Sequence, residues 1–230
     1  MLSVLVANLK GGCGKTTIAT HLAAACARAG HLTVLADADR QRSSLKWLER
    51  RPDHLPRILP VDWTREISRL SRAPDRLIID APAAMRREQI EELVGMAHVV
   101  VLPVLPSVFD EGSTERFLNR LEELKAIRKN QKPVAVVANR LRPRTRAAVR
   151  LDQFLQRLGH RVHARVRDSQ FYCETAARGL SLFDVKGPRE AEFRKDWEPL
   201  LFYLGAETAL ESAPVPAIAN IQGEAAAPGV

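Results

Sequence analysis

Short runs of aliphatic and β-branched residues alternate, through most of the chain, with longer stretches whose apolar positions recur every three to four residues. Residues 77–80, 99–104 and 134–138 are continuous apolar runs, the pattern of parallel strands buried on both faces. Residues 2–7 and 33–36 read as strands too, and 57–61 is a weaker strand pattern. Helical periodicity falls on 15–29, 43–50, 86–95, 112–129, 145–158 and 189–204, with Gly30 a natural stop for the first. Strand and helix in alternation predict an α/β fold: a doubly wound, mostly parallel sheet with helices on both faces.

The chain has 230 residues, enough for one large core. No repeat or linker divides it, so one domain is expected over 1–206. Residues 207–230 contain no lysine or arginine and are rich in Ala, Pro and Gly, which reads as a flexible tail. No apolar run approaches the ~20 residues of a membrane span. The N-terminus lacks the basic flank and cleavage site of a signal peptide. Cys13, Cys26 and Cys173 are odd in number and widely spaced, which suggests neither a disulfide framework nor a metal-ligand pair. A cytoplasmic location is expected.

The sharpest signal is Lys10-Gly11-Gly12-Cys13-Gly14-Lys15-Thr16-Thr17, which follows a strand pattern and opens a helical one. Glycines let a backbone wrap closely around phosphates with its N–H groups turned inward. The next helix adds its positive N-terminal end. In this arrangement the loop residues Gly11, Gly12, Cys13 and Gly14, with Lys15, Thr16 and Thr17, are expected to bind ATP. Lys15 would neutralise the β- and γ-phosphates, and the Thr16 hydroxyl would bind Mg²⁺. Asn8 stands where the general phosphate-loop pattern has its first Gly.

This box resembles the deviant Walker A motif of the ParA/MinD superfamily. The resemblance implies that Lys10 reaches across a nucleotide-sandwich dimer to the partner's phosphates, in the manner of an arginine finger. Leu35-Ala36-Asp37-Ala38-Asp39-Arg40-Gln41 resembles the family's D-x-D-P-Q segment, with Arg40 in place of the proline. It implies that Asp39 orients the attacking water and that Asp37 supports the Mg²⁺ region. Leu77-Ile78-Ile79-Asp80-Ala81-Pro82 resembles the Walker B strand, so that Asp80 would hold Mg²⁺ through water. Pro103-Val104-Leu105-Pro106-Ser107-Val108-Phe109-Asp110 resembles a P-x-x-P-S-x-x-D turn of the family. Asn139-Arg140 resembles an N-R pair whose Asn recognises adenine. Arg165–Ser169 and Ala176–Asp184 are similar to the family's ending before the last helix. The implied activity is ATP hydrolysis at a slow intrinsic rate, by a homodimer that forms with ATP.

Charge adds a partner. The formal net charge is +8, and residues 140–167 hold nine arginines against one acid, Asp152, which matches the whole excess. On a helical wheel Arg146, Arg150 and Arg157 share one face of 145–158, opposite Ala148, Leu151, Phe154 and Leu155. Arg142, Arg144, Arg146, Arg150, Arg157, Lys186 and Arg189 are therefore candidates for DNA binding. No aromatic residue shares the arginine face of 145–158, so phosphate contacts without sequence readout are expected. The resemblance then implies a nucleoid-associated, short ParA-like ATPase that positions a cargo, with an adaptor of the ParB or carboxysome-adaptor type. The cargo could be a plasmid, a chromosomal region, a chemotaxis cluster or a carboxysome. Two alternatives share the ATP site: a MinD-like ATPase, for which the expected basic amphipathic membrane anchor is missing from the tail, and a ligase or kinase acting on a small acid.

Overall fold

A computed structural model of the chain describes residues 1–70, 72–129 and 131–210. Seven strands form one sheet: β1 (Leu2–Val6), β2 (Thr33–Asp37), β3 (Ile58–Asp62), β4 (Arg76–Asp80), β5 (Val99–Val104), β6 (Val134–Leu141) and β7 (Val162–Arg167). The order is β3-β2-β4-β1-β5-β6-β7, and every neighbouring pair is parallel. The helices are α1 (Lys15–Arg28), α2 (Ser43–Glu49), α3 (Arg87–Met96), α4 (Val108–Glu123), α5 (Lys125–Arg128), α6 (Arg146–Arg157), α7 (Phe171–Ala177), α8 (Pro188–Lys195) and α9 (Glu198–Tyr203).

The sheet is wound on both faces, as the alternation of patterns predicts. Successive strand side chains point to opposite faces. Val4 and Val6 of β1 therefore enter one core, with Ile18 and Leu22 of α1 and with Trp197. Leu5 and Ala7 enter the other, with Leu93 of α3, Phe117 of α4 and Phe154 of α6. The buried alanines 19, 23, 24, 25 and 27 bring α1 close to the sheet. All strands being parallel, their carboxyl ends share one edge. The order turns at β1, which lies between β4 and β5, and such a point opens a crevice for ligands.

The structure departs from the sequence reading in several places. β7 is a seventh strand where the arginine run suggested only charge. Its Ala164 and Val166 are buried while Arg165 is exposed, the alternation of an edge strand. Helix α7 was also not expected. The helix expected from 112 starts at Val108, directly after Ser107. The helix expected over 189–204 is two, α8 and α9. Pro199 lacks the N–H that a continuous helix needs there. Residues 207–210 form a 3₁₀ turn with Ala209 buried, so ordered chain runs four residues into the segment expected as a tail; the remainder of that segment lies outside the described residues.

The segment after α7 is fastened to α2. Arg51 donates to both oxygens of Asp184 at 2.9 and 3.0 Å and to the Gly179 carbonyl, and the Trp47 indole donates to the Leu180 carbonyl. Gly179 has a φ of 66°, and a Cβ there would fall 2.4 Å from the backbone of Arg50. Only glycine permits this approach.

Candidate functional site

The phosphate loop leaves β1 at the carboxyl edge and turns into α1. Gly12 and Gly14 have φ values of 77° and 92°, a region that favours glycine. Gly14 is also the residue before the first turn of α1. Asn8 explains the missing first glycine. Its amide donates to the Pro103 carbonyl at 2.8 Å, and its oxygen accepts the Lys10 N–H at 3.1 Å. The loop is thereby anchored to the end of β5 by a side chain. Lys15 is buried and donates to the Lys10 carbonyl at 3.1 Å, so its ammonium lies inside the curve of the loop. Cys13 is buried, and burial pushes its thiol up in pKa, which makes it a packing residue rather than a nucleophile.

Three carboxylates gather at the ends of β2 and β4. Asp37 is fully buried. Its Oδ2 accepts the Ser44 N–H, the Ser44 hydroxyl and the Leu45 N–H, and its Oδ1 accepts the Asp39 N–H. Asp37 thus ties the first turn of α2 to the loop that carries Asp39. Asp37, expected to support the Mg²⁺ region, has its oxygens engaged here by the loop and by α2. Asp39 is part-exposed and accepts the Gln41 N–H at 3.0 Å. Arg42 closes the loop at a φ of 55°.

Asp80 is different. It is fully buried, and neither oxygen closes a hydrogen bond. Burial, then the charge of Asp37, push its pKa up to about 7; the nearby Thr16 hydroxyl and Lys15 pull it down less strongly. A buried carboxylate left without partners, beside a threonine hydroxyl and a second acid, is what a divalent cation would complete. The residues fit Mg²⁺, with Thr16 and Asp80 as the groups that would hold it. Among the described residues no cluster of three or more His, Cys, Asp and Glu that could hold a metal ion is present.

Two further residues close the loop. The Lys10 ammonium is 2.9 Å from Asp110 in the first turn of α4. The sequence motif contained Asp110 but gave it no role; the structure makes it the partner of Lys10. Asn139, at the end of β6, donates to the Cys13 carbonyl at 2.8 Å, and a Cβ on Gly14 would lie 2.3 Å from its amide nitrogen. Expected to read adenine, Asn139 here spends one N–H on holding the loop. A cleft of about 1010 Å³ opens beside the phosphate loop rather than over it, lined among others by Asp39, Arg40, Gln41, Trp63 and Glu88.

The arginine run is less uniform than its sequence. Arg142 pairs with Asp168 at 2.9 Å, Arg150 with Glu111 at 2.7 Å, Arg165 with Asp152 at 2.9 Å and Arg167 with Asp196 at 2.7 Å. Three of these acids come from outside the run. Among the described residues Arg140, Arg144, Arg146, Arg157 and Arg161 form no ion pair, and all are exposed. Arg189 is brought to this region by tertiary contact. Its guanidinium and that of Arg167 both lie over Phe193, at 5.4 and 5.2 Å. Lys186 is exposed just before α8. Arg157 lies at the far end of α6 from Arg146, roughly 16 Å along the helix at 1.5 Å per residue.

Residues 4–182 match the family described as the CobQ/CobB/MinD/ParA nucleotide binding domain. The maintenance of carboxysome distribution protein A of Halothiobacillus neapolitanus is 29% identical over 190 residues, 80% of this chain and 87% of the relative. Its namesake in Gloeobacter kilaueensis is 30% identical over 205 residues, 84% of this chain and 89% of the relative. Among solved structures, an ATP complex of McdA from Cyanothece superposes with a TM-score of 0.68 at 18% identity, covering 94% of this chain and 98% of that one.

Proposed function

Because the chain belongs to the CobQ/CobB/MinD/ParA nucleotide-binding family, we propose that it is a ParA-like ATPase that positions a cargo. In this reading it binds ATP and Mg²⁺ in the loop after β1 and pairs with a second copy around the nucleotides. The pair binds duplex DNA without sequence preference, and an adaptor stimulates slow hydrolysis. Two curated relatives are named for carboxysome distribution, which favours a protein-based cargo and an adaptor of the carboxysome type. The seat is then the nucleoid.

The observation that carries the reading is the pairing of two lysines in one loop with the partnerless Asp80 opposite. Lys15, already inside the loop, meets the β- and γ-phosphates with the inward N–H groups. Mg²⁺, held by Thr16 and Asp80, would neutralise charge on the phosphate oxygens. Asp39 stands on a loop fixed by Asp37 and orients water. Lys10 is on the same loop with a half-exposed side chain, its ammonium paired with the largely buried Asp110. That suits a residue which leaves its own subunit for a partner's phosphate. The site therefore contains charge and positioning groups for phosphoryl transfer to water.

The test is a filter or gel-shift assay on non-specific duplex DNA with ATP, ADP or no nucleotide, at two salt concentrations. Binding with ATP alone, weakened by salt, is expected. Absence of binding in every state would remove DNA from the reading and leave an ATPase whose surface partner lies elsewhere.

A further inference from the structure

We propose that the cleft beside the phosphate loop is a site for inorganic phosphate, by which the product of hydrolysis leaves, with Arg40 and Arg65 as the residues that hold it. The inference rests on the ATP hydrolysis proposed above and names the path of its product.

The cleft borders the ATP site at two points. Asp39 is part of its lining. So is Ala83, which a Cβ on Gly11 of the phosphate loop would meet at 3.9 Å. A second cavity, of about 510 Å³, is lined by Arg40, Arg42, Asp62, Thr64 and Arg65. Arg40, Thr64 and Arg65 line both spaces. Asp62 is engaged on both oxygens, by the Thr64 N–H and hydroxyl and by Arg42. Arg40 and Arg65 are exposed and form no ion pair among the described residues. The backbone that carries them is fixed. The Arg42 N–H donates to the Asp39 carbonyl at 2.9 Å, which closes a four-residue turn with Arg40 in its second position. Proline is favoured at that position; arginine keeps the turn and adds a charge. Trp63, two residues before Arg65, donates its backbone N–H to the Asp37 carbonyl at 2.8 Å. Trp63 also lines the cleft, and its indole N–H is buried with no acceptor among the described residues. Buried donors seldom stay unpaired, and a phosphate oxygen is an acceptor of the kind this one lacks.

The chemistry selects the ligand. Hydrolysis leaves ADP on the loop and frees a phosphate dianion beside Asp39, whose carboxylate repels it. Two unpaired guanidinium groups, always charged and shaped to take phosphate oxygens in pairs, stand next along the cleft. The loops after β2 and β3 supply these cations. Helix α3 supplies Glu88 and Glu92 together with Arg86, and Glu66 follows Arg65. Those acids oppose a long polyanion such as DNA lying along the cleft. They also keep the hold on a small dianion weak, as release requires.

The experiment is steady-state ATP hydrolysis by the full chain with inorganic phosphate added as inhibitor, at constant ionic strength. Calorimetric titration of phosphate into the ADP–Mg²⁺ complex reads the same site where a variant hydrolyses too slowly. Wild type is expected to be inhibited. In Arg40→Ala/Arg65→Ala the phosphate constant should rise at least about 10-fold, the loss of charge-assisted hydrogen bonds. Arg40→Lys/Arg65→Lys should keep most of the inhibition. Arg57→Ala, which removes a charge at the other end of β3, should change nothing. Affinity for ADP should be equal in all, which shows that each variant folds and keeps its phosphate loop. An unchanged phosphate constant in the alanine variant would place phosphate on the loop alone; the inference is then wrong and the ATPase reading stands. Lost ADP affinity in that variant would assign the arginines to the nucleotide and overturn the phosphate site. So would duplex DNA that competes with phosphate in wild type, which would give the arginines a nucleic-acid partner. A wild type that binds ADP and hydrolyses no ATP would remove the ATPase reading, and this inference with it.

Discussion

The side-chain amide of Asn139 donates to the backbone carbonyl of Cys13 at 2.8 Å and so joins the end of β6 to the phosphate loop across 126 residues of sequence. The contact is buried, and it shapes its neighbour: Gly14 must lack a Cβ because the Asn139 amide occupies that place. Loop and strand end fit as a pair. Asn139 therefore helps set the shape of the loop.

Replacing Asn139 by Ala leaves the Cys13 carbonyl without its partner. The cost of a buried unsatisfied group is about 1–3 kcal/mol. Affinity for ATP and for GTP should fall alike, by roughly 10-fold, in equilibrium titrations. A loss confined to ATP would return Asn139 to reading the adenine base.

The carboxylates separate by role. Asp39→Ala should leave ATP affinity intact and slow hydrolysis at least about 100-fold in single-turnover assays, the usual contribution of a positioned catalytic group. Asp80→Asn removes a buried charge that has no partner. Without Mg²⁺ its melting temperature should rise by about 2–4 °C for each kcal/mol relieved, while Mg²⁺ should no longer strengthen ATP binding. Lys15→Ala should abolish nucleotide binding.

DNA contact should follow the ion pairs. Arg144 and Arg146 form none among the described residues, whereas Arg142 is held by Asp168 and Arg150 by Glu111. Replacing Arg144 and Arg146 together by Ala should weaken binding on every sequence and reduce the salt slope by about 2. Replacing Arg142 alone should change both far less. Fluorescence anisotropy across a salt series measures each.

His21 makes stability depend on pH. Its ring is fully buried, stacked on Trp197 at 5.2 Å with Tyr172 and Phe183 at its edges, and burial lowers its pKa to about 4. An unfolded histidine titrates near 6.5. Between these values the unfolded chain binds the proton and the folded chain does not, so stability falls as pH drops from about 6.5 towards about 4. The full span amounts to about 3 kcal/mol. Asp80, protonated in the folded chain below about 7, contributes stability over the same interval, so the His21 contribution is read as a difference: from pH 7 to pH 5, urea unfolding should show His21→Leu gaining stability relative to wild type.

Much of the fold was legible because its signals are local. The apolar runs at β1, β4, β5 and β6 and the Gly-Lys-Thr-Thr loop are contiguous, and each follows from backbone needs within a few residues. β7 was hidden because its arginines outweighed an alternation of only three inward positions, 162, 164 and 166. The break between α8 and α9 was written in Pro199 and was overridden by the apolar period around it.

By itself the sequence determined the doubly wound plan, the phosphate loop and the three carboxylates at strand ends, since hydrophobic period, glycine spacing and the alternation of strand and helix along the chain are properties of neighbouring residues. Only the tertiary structure decided their partners. It gave Asp110 to Lys10, Asn139 to Cys13, Asn8 to Pro103, and acids from other elements to Arg142, Arg150 and Arg167. These pairs join residues from 26 to 126 positions apart where hydrogen bonds record the separation. The physical reason is that a charge or an amide takes its partner from whatever the packed sheet brings within about 3 Å, and that proximity is made by the fold.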